Sequence, residues 1–128
     1  MAHFSRLFAI SIDVPAPDHD ATVAFWSGAV GAELEPVGKY PEFNGARLPT
    51  HDMLVLAQRL GDGGPARVHL DFHTDDVDAE VARLERLGAT RVDRAENWQV
   101  LRDPAGLLFC VVLDRPGALS EANATRWE

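Results

Sequence analysis

Arg67-Val68-His69-Leu70-Asp71-Phe72-His73-Thr74-Asp75-Asp76 is the stretch whose reading decides the fold of this chain. Val68, Leu70 and Phe72 make one bulky face, and His69, Asp71 and His73 make a polar one, the period of a strand with one face against a core. Asp75 and Asp76 then open a helix with acids in its first turn, where they suit the helix dipole. Val77, Val81, Leu84 and Leu87 follow at helical spacing, and Gly88 ends the pattern. Three further strands are predicted at Thr90–Val92, Trp98–Arg102 and Leu107–Leu113. Asp103-Pro104-Ala105-Gly106, between the last two, has the residues of a type I turn.

The same order occurs earlier. Leu7 to Val14 alternate, with Phe8, Ile10, Ile12 and Val14 on one face and Ala9, Ser11 and Asp13 on the other. Pro15-Ala16-Pro17 ends that strand, and Asp18 or Asp20 can cap a helix with a stripe of Thr22, Val23, Trp26, Ala29 and Val30, closed by Gly31. Ala32–Val37, Glu42–Leu48 and Met53–Arg59 are predicted strands, separated by Gly38 and by Pro49-Thr50-His51-Asp52. Gly31 and Gly88 lie 57 residues apart, and Asp18 and Asp76 lie 58 apart, so the chain reads as two similar βαβββ modules. The first covers about 7–60, a Gly/Asp/Pro linker 61–65, the second about 66–113, and a tail 114–128 is either frayed or docked through Trp127. The whole is one α+β domain, with helices on one face of each sheet and small and polar residues on the other, the two modules forming a cup.

Composition narrows the function. With 46% hydrophobic and 25% charged residues, the 128-residue chain is globular. Its longest apolar run, Leu107–Leu113, is too short to cross a bilayer as a helix, and no signal peptide is expected. One cysteine, Cys110, excludes an internal disulfide and fits a cytoplasmic protein. A formal net charge of −8 argues against nucleic-acid and anionic-membrane partners.

The stretch from Arg67 to Asp76, with Arg83-Leu84-Glu85-Arg86-Leu87-Gly88-Ala89-Thr90 and Asp103-Pro104-Ala105-Gly106-Leu107-Leu108-Phe109-Cys110-Val111-Val112, resembles the glyoxalase-like branch of the vicinal oxygen chelate superfamily. That superfamily also holds extradiol dioxygenases and bleomycin-resistance proteins. Ile12-Asp13-Val14-Pro15, Asp18, Ala24-Phe25-Trp26 and Val30-Gly31-Ala32 carry the resemblance in the first module. It implies paired modules around a cup, where enzymatic members hold a divalent metal through four side chains from the first and last strands of each module. Those positions fall here on Ser11, Gln58, His69 and Cys110. Ser and Gln are poor ligands for a divalent ion, a thiol binds only as thiolate, and no carboxylate is present to offset the charge. The expectation is therefore no metal cofactor, with His69 the one candidate ligand if a divalent metal is bound.

Strand arithmetic extends the site. A tight, unbulged hairpin at Asp103–Gly106 would pair Cys110 with Gln99 and send Trp98 and Arg102 to the helix-facing side or its edge. A hairpin around Pro49–Asp52 pairs Gln58 with Phe43, Leu56 with Gly45 and Leu54 with Arg47, so Phe43 and Arg47 join the candidates. Asp71 shares the face of His69; the plainer account of Asp71 and His73 is a hydrogen-bonded rim, and that of Cys110 an inert buried thiol. The expected function is small-molecule binding without the family's metal. The alternatives are a metal-dependent lyase, isomerase or dioxygenase around His69, or a metal-free acid–base enzyme in which His69 acts with Asp71 or Gln99. The resemblance also implies a homodimer.

Overall fold

The computed structural model describes residues 2–61 and 64–128, so Asp62 and Gly63 of the expected linker lie outside the described residues. The chain forms two compact units, Ala9–His69 and Leu70–Glu128, the latter taking in the residues up to Phe8. Each is a mixed sheet with one α-helix packed on it.

In the unit of residues 9–69, the second part of β1 (His3–Pro15) runs parallel to β4 (Leu54–Leu60). β4 pairs antiparallel with β3 (Tyr40–Arg47), and β3 with the short β2 (Glu35–Val37). The Pro15-Ala16-Pro17 segment passes through a 3₁₀ turn, Ala16–Asp18, into α1 (His19–Val30). Asp18 holds the N-cap position, but its side chain makes no capping bond. Gly31, at φ 76°, ends α1 in the left-handed region, as its position in the sequence requires. The exit explains why β2 starts later than predicted. The amides of Gly31 and Ala32 donate to the Ser27 carbonyl and the Leu34 amide donates to Ser27 Oγ, so residues 32–34 cap the helix instead of joining the sheet. Leu34 is thereby buried with Val55 and Ala57, under Val23, Trp26 and Val30 of α1. Phe25 stays exposed, its ring edge-on to Trp26.

The other unit has the strand order β5 (Arg67–Thr74, of which Leu70 onward lies in this unit), β8 (Leu108–Leu113), β7 (Trp98–Arg102), β6 (Thr90–Arg94), with β5 parallel to β8. Asp76 caps α2 (Val77–Arg86) by accepting from the Ala79 amide. Val77, Val81 and Leu84 pack on Leu101, Phe109 and Val111. Leu87 departs from the expected stripe. It falls at the C-cap, after the last helical turn, and is exposed.

The β7–β8 hairpin corrects the predicted register. The amide of Gly106 donates to the Asp103 carbonyl, closing the type I turn, but Asp103 N–H also donates to the Leu107 carbonyl. Gly106, at φ 94°, thus adds a third loop residue as a bulge. One extra residue moves every pairing: Cys110 faces Val100, Gln99 faces Val111, and Trp98 and Arg102 pair with Val112 and Leu108 on the side of Cys110.

The tail is docked. β9 (Thr125–Trp127) pairs antiparallel with His3–Ser5, and Trp127 Nε1 donates to Ser5 Oγ at 2.9 Å. The Arg83 guanidinium stacks 3.8 Å from the centre of the Trp127 ring.

Candidate functional site

The face of β1 away from α1 carries Ala9, Ser11 and Asp13, all fully or almost fully buried. Asp13 stands beside Gln58 in the parallel β1–β4 register, and Gln58 faces Phe43 across the β3–β4 hairpin, as the turn arithmetic predicted. Phe43 meets Tyr40 edge-on at 6.5 Å between ring centres. Period two puts Ser11, Leu56 and Gly45 on the adjoining row of the same face. A Cβ at Gly45 would sit 2.6 Å from Leu56 Cδ2, so a larger residue there would have to displace the Leu56 side chain.

His69 closes the polar row. Its Nδ1 lies 2.6 Å from Asp13 Oδ2, while Ser11 Oγ donates to Asp13 Oδ1 at 2.9 Å. Arg67 Nε is 3.9 Å from Asp13 Oδ2, too far for a hydrogen bond but near enough to act on the carboxylate as a charge. The side chain of His69 is 14% exposed and that of Asp13 only 3%. A carboxylate this deep is costly unless its oxygens are matched, and here each has a polar partner.

The other candidates divide. Asp71 is the register partner of Cys110, and it is buried instead of on the rim. His73 follows the plainer account: its Nδ1 lies 3.1 Å from Asp114 Oδ2, and its ring is edge-on to Phe8. Gln99 is not brought to Cys110. It lies on the face of Leu101, with Nε2 donating to the carbonyls of Asp93 and Val100. Arg47 pairs with the turn residue Asp52, both largely exposed, so its charge is answered outside the polar row. A hollow of about 240 Å³ beneath the end of α2 is lined by Leu70, Phe72, Leu84 and Leu107, away from these residues, and offers little polar chemistry.

Sequence reading missed Asp13. The signal was present in the alternation that puts it on the face of Ser11, and in its place beside Gln58 once β1 and β4 are paired in parallel.

Residues 9–112 match the family model of the glyoxalase-like domain. The chain belongs to that family. This places it in the vicinal oxygen chelate superfamily, as its second-module motifs implied. No curated protein matches it. Among solved structures, this glyoxalase-like chain resembles methylmalonyl-CoA epimerase from Mycobacterium tuberculosis, at 18% identity over 86% of this chain and 88% of that one, with a TM-score of 0.56. A methylmalonyl-CoA epimerase in complex with methylmalonyl-CoA and NH4+ is 21% identical over 88% and 96% of the two chains, with a TM-score of 0.59. A hypothetical protein from Bacillus halodurans is 13% identical over 91% and 99%, with a TM-score of 0.63. At these identities the likeness shows the α+β fold of two βαβββ modules. Among the described residues, no helix is long and apolar enough to cross a membrane.

Proposed function

We propose that this glyoxalase-like chain binds a small molecule on the face that carries Ser11, Gln58, Phe43 and His69, and that it does so without the divalent metal used by enzymatic relatives. The observation that carries the reading is the single carboxylate of Asp13, which holds both the Ser11 hydroxyl and the His69 Nδ1. Two of the four positions where the family places metal ligands are thus engaged with one buried acid. The other two, Gln58 and Cys110, are a neutral amide and a thiol. This donor set does not fit a divalent cation held by carboxylates and histidines. The row instead has an aromatic end at Phe43 and Tyr40, an amide at Gln58 and an ionisable end at His69, suited to a small molecule with an apolar body and a polar head. Arg47 would extend the surface beyond its Asp52 partner. Solved relatives carry CoA esters in their complexes, which supports small-molecule binding as a class.

The metal-dependent alternative, a lyase, isomerase or dioxygenase, has one observation in its favour. Asp71, two residues after His69 on β5, adds a carboxylate opposite Cys110. Elemental analysis of protein purified without chelators separates the two. The proposal expects far less than one metal per chain, and calorimetric binding of a panel compound that EDTA leaves unchanged. One tightly held ion per chain, or no binding across the panel, overturns it. A cytoplasmic homodimer belongs to the same reading, and light scattering checks the oligomeric part.

A further inference from the structure

The two helices differ on the side turned away from their sheets. α2 carries Asp78, Glu85 and Arg86 there, all exposed, the charged surface expected of an amphipathic helix. α1 instead exposes Ala21, Ala24, Phe25, Gly28 and Ala29, which recur at helical spacing and make one continuous face. We propose that this face of α1 is the surface through which two copies of the chain pair. The inference rests on the homodimer reading and names the surface that reading lacks.

Phe25 is 63% exposed, a large aromatic ring left in water. Its helix has one acidic residue, Asp20 in the first turn, and the next charged residue along the chain is Glu33, although a quarter of all residues are charged. A helix that is apolar on both sides is ordinarily covered on both, and an uncharged apolar patch at the surface marks a contact with another protein. Charge and shape select a second copy as the occupant. Each chain has a formal net charge of −8, so two copies repel over most of their surface and meet here with little like charge between them. A two-fold contact also needs a patch that fits itself. This face has both halves of the fit: Phe25 is the knob, and at Gly28 no neighbouring group lies within 4 Å of the place a Cβ would take. Antiparallel α1 helices crossing at about −50° lay each Phe25 ring over the partner's Gly28 and set Ala24 against the partner's Ala29. The crossing carries Asp20, at the end of the helix, away from the contact. Five residues a side are far fewer than the roughly 20–30 of a standard interface, so the pair separates on dilution.

Sedimentation velocity of the full chain over a dilution series tests the pairing. The native protein should pass from monomer to dimer as its concentration rises. Phe25→Glu removes both knobs and puts two like charges into the contact, and should raise the dissociation constant about tenfold or more. Gly28→Gln fills the gap, so it should weaken the pair as well, while raising the midpoint of thermal unfolding because glutamine is the better helix former. That combination separates a blocked contact from a damaged fold. Leu87→Glu, at a site 68% exposed beyond the end of α2, should leave the association unchanged. A native chain that is monomeric at every concentration overturns the homodimer reading and the proposal together. A dimer that neither Phe25→Glu nor Gly28→Gln weakens, or that Leu87→Glu weakens as much, overturns the α1 surface and leaves the homodimer reading standing.

Discussion

Glu80 is wholly buried on α2, yet its carboxylate is matched on every side. His3 Nε2 lies 2.8 Å from Oε1, and Arg83 donates to both oxygens at 2.8 Å. Burial pushes its carboxyl up, but the bonds from Arg83, His3 and Ser5 outweigh it and hold the group below its ordinary value. A carboxyl lowered by folding contributes stability above its unfolded value, near 4.5, and that contribution is lost as pH falls through the folded value. Glu80→Gln should therefore cost most at neutral pH and progressively less below about pH 4.5, as denaturant unfolding at a series of pH values would show. Glu80→Ala, which leaves His3 and Arg83 facing a void, should cost about 3–5 kcal/mol. Glu80 also shows what a single sequence hides. It reads as one of the first-turn acids of an amphipathic helix, and only the far-off strand carrying His3 gives it a buried partner.

At the scale of the element, two glycines of the same composition have opposite meanings. Gly28 lies within α1 with open space around the place a Cβ would take, so Gly28→Ala should stabilise the protein by about 0.5–1 kcal/mol. Gly106, at φ 94°, makes the third residue of the β7–β8 loop, and Gly106→Ala should destabilise by about 1 kcal/mol or more. Thermal unfolding of the pair gives shifts of opposite sign. The hairpins also separate what was legible from what was not. Around Pro49–Asp52, the pairing of Gln58 with Phe43 followed from counting alone. Around Asp103–Gly106, the same count failed by one residue, because a type I turn fits its strands here only with an added left-handed residue. That single residue carried Gln99 away from Cys110 and into the helix-facing layer.

For the whole molecule, the pattern of two modules was readable because alternation, helical stripe and closing glycine recur at nearly constant spacing. The compact units do not end where the modules do. The strand residues up to Phe8 pack with Leu70–Glu128, supplying His3 to Glu80 and Ser5 to Trp127. A three-residue strand such as β9 has too little pattern to be seen in sequence, and its partner lies at the opposite end of the chain. A fragment of residues 66–128 should accordingly fail to unfold cooperatively in urea, having lost His3 beside Glu80 and the strand that pairs with β9. Removing only residues 125–128 should leave a folded protein weakened by about 1–3 kcal/mol, from the lost Arg83–Trp127 stacking and the Ser5 bond.

The pairing of His3 with Trp127 has a consequence for how the chain can be rewired. Antiparallel partners bring the two ends side by side, within reach of a linker of a few glycines and serines. A circular permutant joined there and opened in the exposed Pro49–Asp52 turn would keep every hydrogen bond between β1 and β9 while placing new termini at the rim of the first sheet. Such a permutant should fold, and it would offer an attachment point for a reporter next to Arg47, at the edge of the face proposed to receive the ligand.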